Sequence, residues 1–225
     1  VTDYTALITT YQRPAECLRA VRSVLGQTVT PARVIVVDDA STDPGYEAVR
    51  RLGDLVQMIS LTTNSRAALN ASYANGAARN VGLFSLLASG FTGWIGFLDD
   101  DDEWMPDKVA RQLLAARPGY ELLATNAVNR TPDGETVGIH HGPSGVCLAD
   151  GVTDVTAEIG GRDNPIIHSS AMVSARVAEL VGMQKPTGYP EDLDYWRRCV
   201  AHTRALRLDA PLVYYAKNNP KHYAL

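Results

Sequence analysis

The chain has 225 residues, 45% of them hydrophobic and 20% charged, with a formal net charge of -4. That length suits one large domain or two small ones, with a substantial buried core, and the mild acidity gives no electrostatic case for a nucleic-acid partner. Three widely spaced cysteines, Cys17, Cys147 and Cys199, argue against a disulfide framework or a zinc site and suit a reducing compartment.

In chain order, residues 5–9 read as a buried strand. Residues 14–25 read as a helix, with Pro14 in its first turn and Cys17, Leu18, Val21, Val24 and Leu25 at helical spacing. A β-branched strand at 33–37 ends in Asp38-Asp39. Asp43-Pro44 opens a short helix through Leu52, and 56–61 form a third strand. Residues 71–88 are Ala-rich and helical in pattern, although Gly76 and Gly82 weaken that reading. A fourth strand at 94–98 runs into the acids, and a helix covers 106–116. Residues 129–165 are rich in Gly, Pro, Asp and Thr and read as a loop or irregular hairpin covering the rim. Helical pattern returns at 190–202, and a last apolar strand spans 211–216.

Strands alternating with helices predict a single α/β domain with a mostly parallel central sheet covered on both faces. Ligands of such sheets bind outside the carboxyl ends of the strands. The uncharged stretch 81–98 is as long as a minimal membrane span, but its glycines and serines read instead as a helix end and a turn.

Asp99, Asp100, Asp101, Asp102 and Glu103 follow one another directly after the fourth strand. Adjacent carboxylates repel, so either a cation sits among them or they fan out into water. Hard divalent cations are held by one or two carboxylates plus substrate phosphates; a solvated turn fits the same residues. The run lacks the glycine of a calcium loop, and no Walker or GxGxxG loop follows the first strand. Glu191 and Asp192 fall in the first turn of a helix, where the dipole favours ionised carboxylates and one of them could act as a base. Arg79, in an otherwise apolar helix, needs an anion, either a phosphate or one of the aspartates.

Taken in order, ITTYQRP, VIVVDDASTD, GAARNVGL, FLDDDDEWMPDKV and VGMQKPTGYPEDLDYWRRC resemble the family-2 glycosyltransferases of GT-A fold, over about residues 4–200. The resemblance implies inverting transfer of a sugar from a nucleotide-diphosphate donor, UDP before GDP or dTDP, to a glycan, lipid-linked or protein-linked acceptor. It also implies dependence on Mn²⁺ or Mg²⁺. The setting it implies is bacterial polysaccharide or glycoconjugate synthesis, cytoplasmic or peripheral at the inner membrane face. The donor-binding half is expected at 1–105 and the acceptor half at 106–225.

Position by position, Thr9 and Tyr11 would line the base pocket, Asp39 would bond the nucleobase, and Asp38 would lie near the ribose. Arg79 would contact the nucleotide or its diphosphate. Asp99 and Asp101 match the two ends of the family's metal motif, with Asp101 the direct ligand and Asp100 between them on the nucleotide side. Asp102 would line the donor or acceptor side. Asp192 matches the catalytic base, with Glu191 supporting it.

Trp104 reads as core that could border the sugar, and His168 as either packing or an acceptor contact. His140-His141 reads as solvent-exposed. Lys217 takes the place of a usual arginine, and His222 could reach the metal. The segment between Arg79 and Asp99 is longer than the family pattern, and no QxxRW motif is present, which argues against a processive synthase. The alternatives are an inactive sugar-nucleotide-binding domain, a nucleotidyltransferase and an acidic interaction domain.

Overall fold

Val34, Ile35, Val36 and Val37 are all fully buried, as a strand covered on both faces requires. Their side chains alternate. Val34 and Val36 join a core with Cys17, Val21, Val24, Tyr46 and Val49. Ile35 and Val37 join a second core with Ala78, Leu83, Leu86, Leu193 and Trp196. The period of two therefore assigns one helical layer to each face of the sheet.

The computed structural model describes residues 3–131, 133–140, 145–148, 151–161, 164–186 and 190–216. In chain order the first half runs β1 (Tyr4–Thr10), α1 (Pro14–Leu25), β2 (Arg33–Asp38), α2 (Glu47–Arg50), β3 (Val56–Ser60), α3 (Ser65–Leu69), α4 (Asn75–Ala88), β4 (Trp94–Asp99) and β5 (Glu103–Trp104). The second half runs α5 (Lys108–Ala115), β6 (Tyr120–Arg130), β7 (Thr136–Ile139), β8 (Val146–Cys147), β9 (Val152–Asp154), α6 (Thr156–Ile159), β10 (Met172–Ser174), α7 (Ala175–Val181), α8 (Glu191–Cys199) and β11 (Arg204–Ala216). The sheet order is β3-β2-β1-β4-β10-β6-β11-β9-β8. Strands β3, β2, β1 and β4 are parallel. Strand β10 runs antiparallel to β4 and β6, and β11 lies parallel to β6.

Four elements differ from the sequence reading for physical reasons. The helix expected from residue 71 begins at Asn75, because Asn64 caps a separate α3 by accepting from Arg66 N at 3.0 Å. Asn70 then ends α3 in the left-handed region at φ 48°. The glycines that seemed to weaken α4 bring it close to its neighbours. A Cβ on Gly82 would lie 2.2 Å from Leu7 Cδ1, and one on Gly76 would lie 2.0 Å from Lys185 O.

The segment 129–165 follows the hairpin alternative more than the loop: its described residues include the end of β6, then β7, β8, β9 and α6, with β7 antiparallel to β6 and β9 antiparallel to β8. Strand β11 starts at Arg204, well before Pro211, with its register shifting around that proline. A residue without an N–H is tolerated at such an irregularity.

Candidate active site

Strand register brings the acids together. Thr9 pairs with Val37 on one side and Asp99 on the other, so the carboxyl ends of β1, β2 and β4 lie level. A cavity of about 580 Å³ opens on that rim, lined among others by Thr9, Tyr11, Asp39, Arg79, Asp99 and Asp192.

The acidic run does not fan out into water. Asp100 and Asp102 are fully or almost fully buried. After Asp99 the chain turns into β5, which pairs with Val213 and Tyr214 of β11. Asp102 accepts from Ala216 N at 2.8 Å, which ties the turn to the end of β11. Thr10 Oγ1 donates to Asp100 Oδ2 at 2.7 Å. Arg13 lies against both central acids, with Nη2 2.5 Å from Asp100 Oδ1 and Nη1 2.9 Å from Asp101 Oδ2. Burial pushes the Asp100 carboxyl up to about 7, against the pull of the Arg13 guanidinium. Burial, then Asp101 and Asp99, push Asp102 well above the usual carboxylate range.

Across the cavity, Arg79 projects from α4 and bridges two acids, with Nη2 2.6 Å from Asp99 Oδ1 and Nη1 2.7 Å from Glu191 Oε1. Burial disfavours its charge, yet the two carboxylates outweigh burial and raise its pKa, so Arg79 is a fixed cation. Glu191 and Asp192 occupy the first turn of α8. The helix dipole favours their ionised forms, but burial is the larger effect, and both carboxyls are raised. Asp192 is held at both oxygens: Oδ1 accepts from Leu193 N at 2.7 Å and Oδ2 from Asn164 Nδ2 at 2.9 Å. On the same helix, Leu193 and Trp196 are buried, which fixes how it presents the acids.

His168 lines the cavity and is also packed, with its ring centroid 4.9 Å from that of Phe97 and its Nδ1 3.7 Å from Asp99 Oδ1. Burial, followed by Arg79, lowers its pKa to about 3 against the pull of Asp99. The unfolded chain takes up a proton near 6.5 that the folded chain refuses. The stability held by neutral His168 is therefore complete above 6.5 and lost as pH falls toward 3. His168→Gln does not titrate, so it should lose less stability than the wild type between about pH 7 and 5 in urea unfolding. Equal losses in the two proteins would refute this.

The cavity gathers Thr9, Tyr11, Asp39, Arg79, Asp99, Asp100, His168, Glu191 and Asp192 from the sequence expectations. Asp39 is oriented by α3: Ser65 N and Oγ donate to its Oδ1 at 2.8 and 2.7 Å, and Asn64 Nδ2 to its Oδ2 at 3.0 Å. Other placements correct the reading. Asp38 is buried and takes Ser41 N at 2.9 Å, holding the turn after β2 rather than lining the cavity. Asp101 and Asp102 are likewise not among the residues that line the cavity.

Trp104 is core. Its indole N–H is committed to Ser169 O at 2.7 Å, and the buried Lys108 ammonium stands 4.0 Å over its ring. His140 is not simply exposed, since it lines the cavity with its ring edge-on to Tyr215. His141, Lys217 and His222 lie outside the described residues.

The sequence reading assigned no role to Arg13, Tyr73, Asn164 or Tyr215, all of which line the cavity. Arg13 was visible two residues after Tyr11 in the same motif. Asn164 gave no signal, because it sits in a segment without periodicity.

Comparison with known proteins follows the same lines. ExoO, the succinoglycan biosynthesis protein of Rhizobium meliloti, is 32% identical over 139 residues, covering 61% of this chain and 36% of ExoO. WfaP of Escherichia coli, a UDP-Glc:α-D-GlcNAc-diphosphoundecaprenol β-1,3-glucosyltransferase, is 31% identical over 109 residues, covering 48% of this chain and 38% of WfaP. The chain thus spans less than half the length of these curated relatives.

Two solved structures share the fold. The S. aureus TarS fragment bound to UDP-GlcNAc gives a TM-score of 0.69 at 18% identity, over 96% of this chain and 59% of that one. The mannosyltransferase PcManGT from Pyrobaculum calidifontis, in complex with GDP-Man and Mn²⁺, gives 0.65 at 20% identity, over 97% of this chain and 60% of that one. The profile described as Glycosyl transferase family 2 matches residues 5–160, more than half of the chain, and on that match the chain belongs to glycosyl transferase family 2.

Proposed function

We infer that the chain carries the catalytic site of a divalent-cation-dependent, inverting glycosyltransferase. It moves a sugar from a nucleoside-diphosphate donor to an acceptor hydroxyl. The observation that carries this reading is the convergence on one cavity of Asp39, a fixed Arg79, Asp99 and an anchored Asp192. A reaction that deprotonates a hydroxyl and expels a diphosphate needs both a base and concentrated positive charge.

In this reading Thr9, Tyr11 and Asp39 hold the nucleoside end of the donor. Asp192 takes the proton of the acceptor hydroxyl as its oxygen bonds to the anomeric carbon. The bond from that carbon to the phosphate oxygen breaks, and the nucleoside diphosphate leaves with the electron pair. Asn164 and the Leu193 N–H keep the carboxylate aimed. Glu191 positions Arg79 beside the departing charge.

Asp99, which lines the cavity, and Asp101, whose carboxylate is almost fully buried against Arg13, are the hard oxygen donors that a divalent cation would take. Among the described residues no three His, Cys, Asp or Glu side chains are grouped so that they could hold a metal ion; Mg²⁺ or Mn²⁺ here would rest on one or two carboxylates, with phosphate and water completing the shell. Such an ion, when bound, neutralises charge on the leaving diphosphate.

UDP is the favoured donor base, in keeping with the UDP-sugars named for WfaP and TarS, with GDP the next choice from PcManGT. The acceptor is assigned to polysaccharide or glycoconjugate synthesis on the strength of the relatives' names. No helix among the described residues is long and apolar enough to cross a membrane. The anchoring of Asp192 favours turnover over an inactive sugar-nucleotide-binding domain, which has no use for an oriented base.

The test is incubation with UDP-Glc, UDP-GlcNAc or GDP-Man, Mn²⁺, and oligosaccharide or diphosphoundecaprenol-linked acceptors, followed by proton NMR of the product. The expected product has the anomeric configuration opposite to that of the donor. A product with retained configuration would refute the mechanism, and no transfer from any donor would count against the activity.

A further inference from the structure

Arg13 has no part in the mechanism above, yet it sits against the residues assigned to the metal. Besides its contacts at 2.5 and 2.9 Å to Asp100 and Asp101, its Nε donates to Asp100 Oδ2 at 3.1 Å. The two carboxylate side chains are 1% and 2% exposed, so water supplies little of their counter-charge, whereas Arg13 is 17% exposed and lines the cavity. The backbone that delivers Arg13 is fixed. Its N–H donates to Tyr46 Oη at 2.9 Å, and Gln12, at φ 53°, donates its own N–H to Ser41 Oγ at 2.8 Å. At the other end of the motif, Arg79 pairs with Asp99 in the same way.

We propose that Arg13 is the resident counter-cation of the Asp100–Asp101 pair, and that a divalent cation at Asp101 must compete with the Arg13 Nη1 contact there, so that metal and nucleoside diphosphate bind together rather than metal first. The inference rests on the reading that Asp101 holds the metal. An ion on Asp101 Oδ2 would share that oxygen with a guanidinium nitrogen 2.9 Å away, and like charges so placed in a buried site repel strongly. Metal alone must therefore break the Nη1–Asp101 contact and stand beside a guanidinium that Asp100 still holds through Nη2 and Nε. A diphosphate arriving with the metal brings negative charge, and its oxygens suit the donor fork of a guanidinium. The cost of breaking the Arg13 pair is then offset in the ternary complex but not in the binary one. The result is positive coupling between the two ligands.

The experiment is Mn²⁺ binding followed by electron paramagnetic resonance of the free ion, with and without UDP, for the wild type, Arg13→Gln and Arg13→Lys. Wild-type protein should bind Mn²⁺ about tenfold or more weakly without UDP than with it, within the usual range of coupling between sites. Arg13→Gln should bind Mn²⁺ alone about tenfold more tightly than the wild type. Arg13→Lys should fall between, since an ammonium is a point charge that cannot span both carboxylates as the fork does.

Equal Mn²⁺ affinity of wild type and Arg13→Gln without UDP, while both bind it with UDP, would overturn the proposal. Failure of every form to bind Mn²⁺ even with UDP would instead remove the metal reading, and the proposal with it. If Arg13→Gln does not fold, Arg13→Lys decides: tighter binding of Mn²⁺ alone than in the wild type supports the competition, and unchanged binding refutes it.

Discussion

Asp192→Asn is expected to lower the transfer rate by about 10²–10⁴-fold, the usual contribution of a positioned general base, while leaving nucleotide binding within about twofold of the wild type. The amide keeps the size of the carboxylate but cannot accept the acceptor's proton. The site explains why the loss falls on turnover rather than binding. Asp192 is anchored by Asn164 and the Leu193 N–H, and neither of its oxygens pairs with Arg79.

The raised pKa of Asp192 adds a signature in pH. Only the ionised form can act as a base, so transfer should fall as pH drops through a value above the usual aspartate range. Single-turnover rates measured across pH, with calorimetric nucleotide binding in parallel, check both parts. A variant with wild-type transfer would exclude Asp192 as the base.

Arg79→Met carries the second large effect, and here it is stability. Glu191 is 4% exposed and faces Arg79 at 2.7 Å, with Asp99 on the other side at 2.6 Å. Removing the cation leaves buried carboxylate charge uncompensated. Breaking a buried pair in this way costs about 3–5 kcal/mol, which for a domain of this size lowers Tm by on the order of 10 °C. The double variant Arg79→Met/Glu191→Gln should recover part of the loss, because the orphaned charge is removed with its partner. Recovery absent from that cycle would show that the pair is not the source of the effect. Chemical denaturation of the four proteins in the cycle provides the measurement.

The first half of the chain was legible in the sequence because its strands are short β-branched runs separated by patterned helices. The same alternation that read as a strand at 33–37 divides its residues between the two cores. The second half was harder. Strand β6 mixes Thr125, Asn126 and Asn129 with its apolar residues, and the polar ones are buried all the same. Their placement depends on neighbours β10, β11 and β7, which no local pattern announces. Strand β10 is three residues long and runs straight into α7, too short for any period to show.

At the site, Asp99, Arg79 and Asp192 could be placed because motif and helix position mark them. Trp104 was legible as core, but nothing local says that its indole N–H meets Ser169 O or that Asp38 is spent on its own turn. The crowding of the acids was visible. That Arg13 answers it required the three-dimensional contact.

The most direct measurement is thermal stability against UDP, GDP, dTDP and CDP, each with and without Mn²⁺. A ligand that binds only the folded chain stabilises it, by about 2.7 kcal/mol at a hundred times its Kd. One nucleotide, UDP first, is expected to raise Tm, and to do so only when Mn²⁺ is present. No shift with any of the four, with or without metal, would contradict a donor site at the ends of β1, β2 and β4.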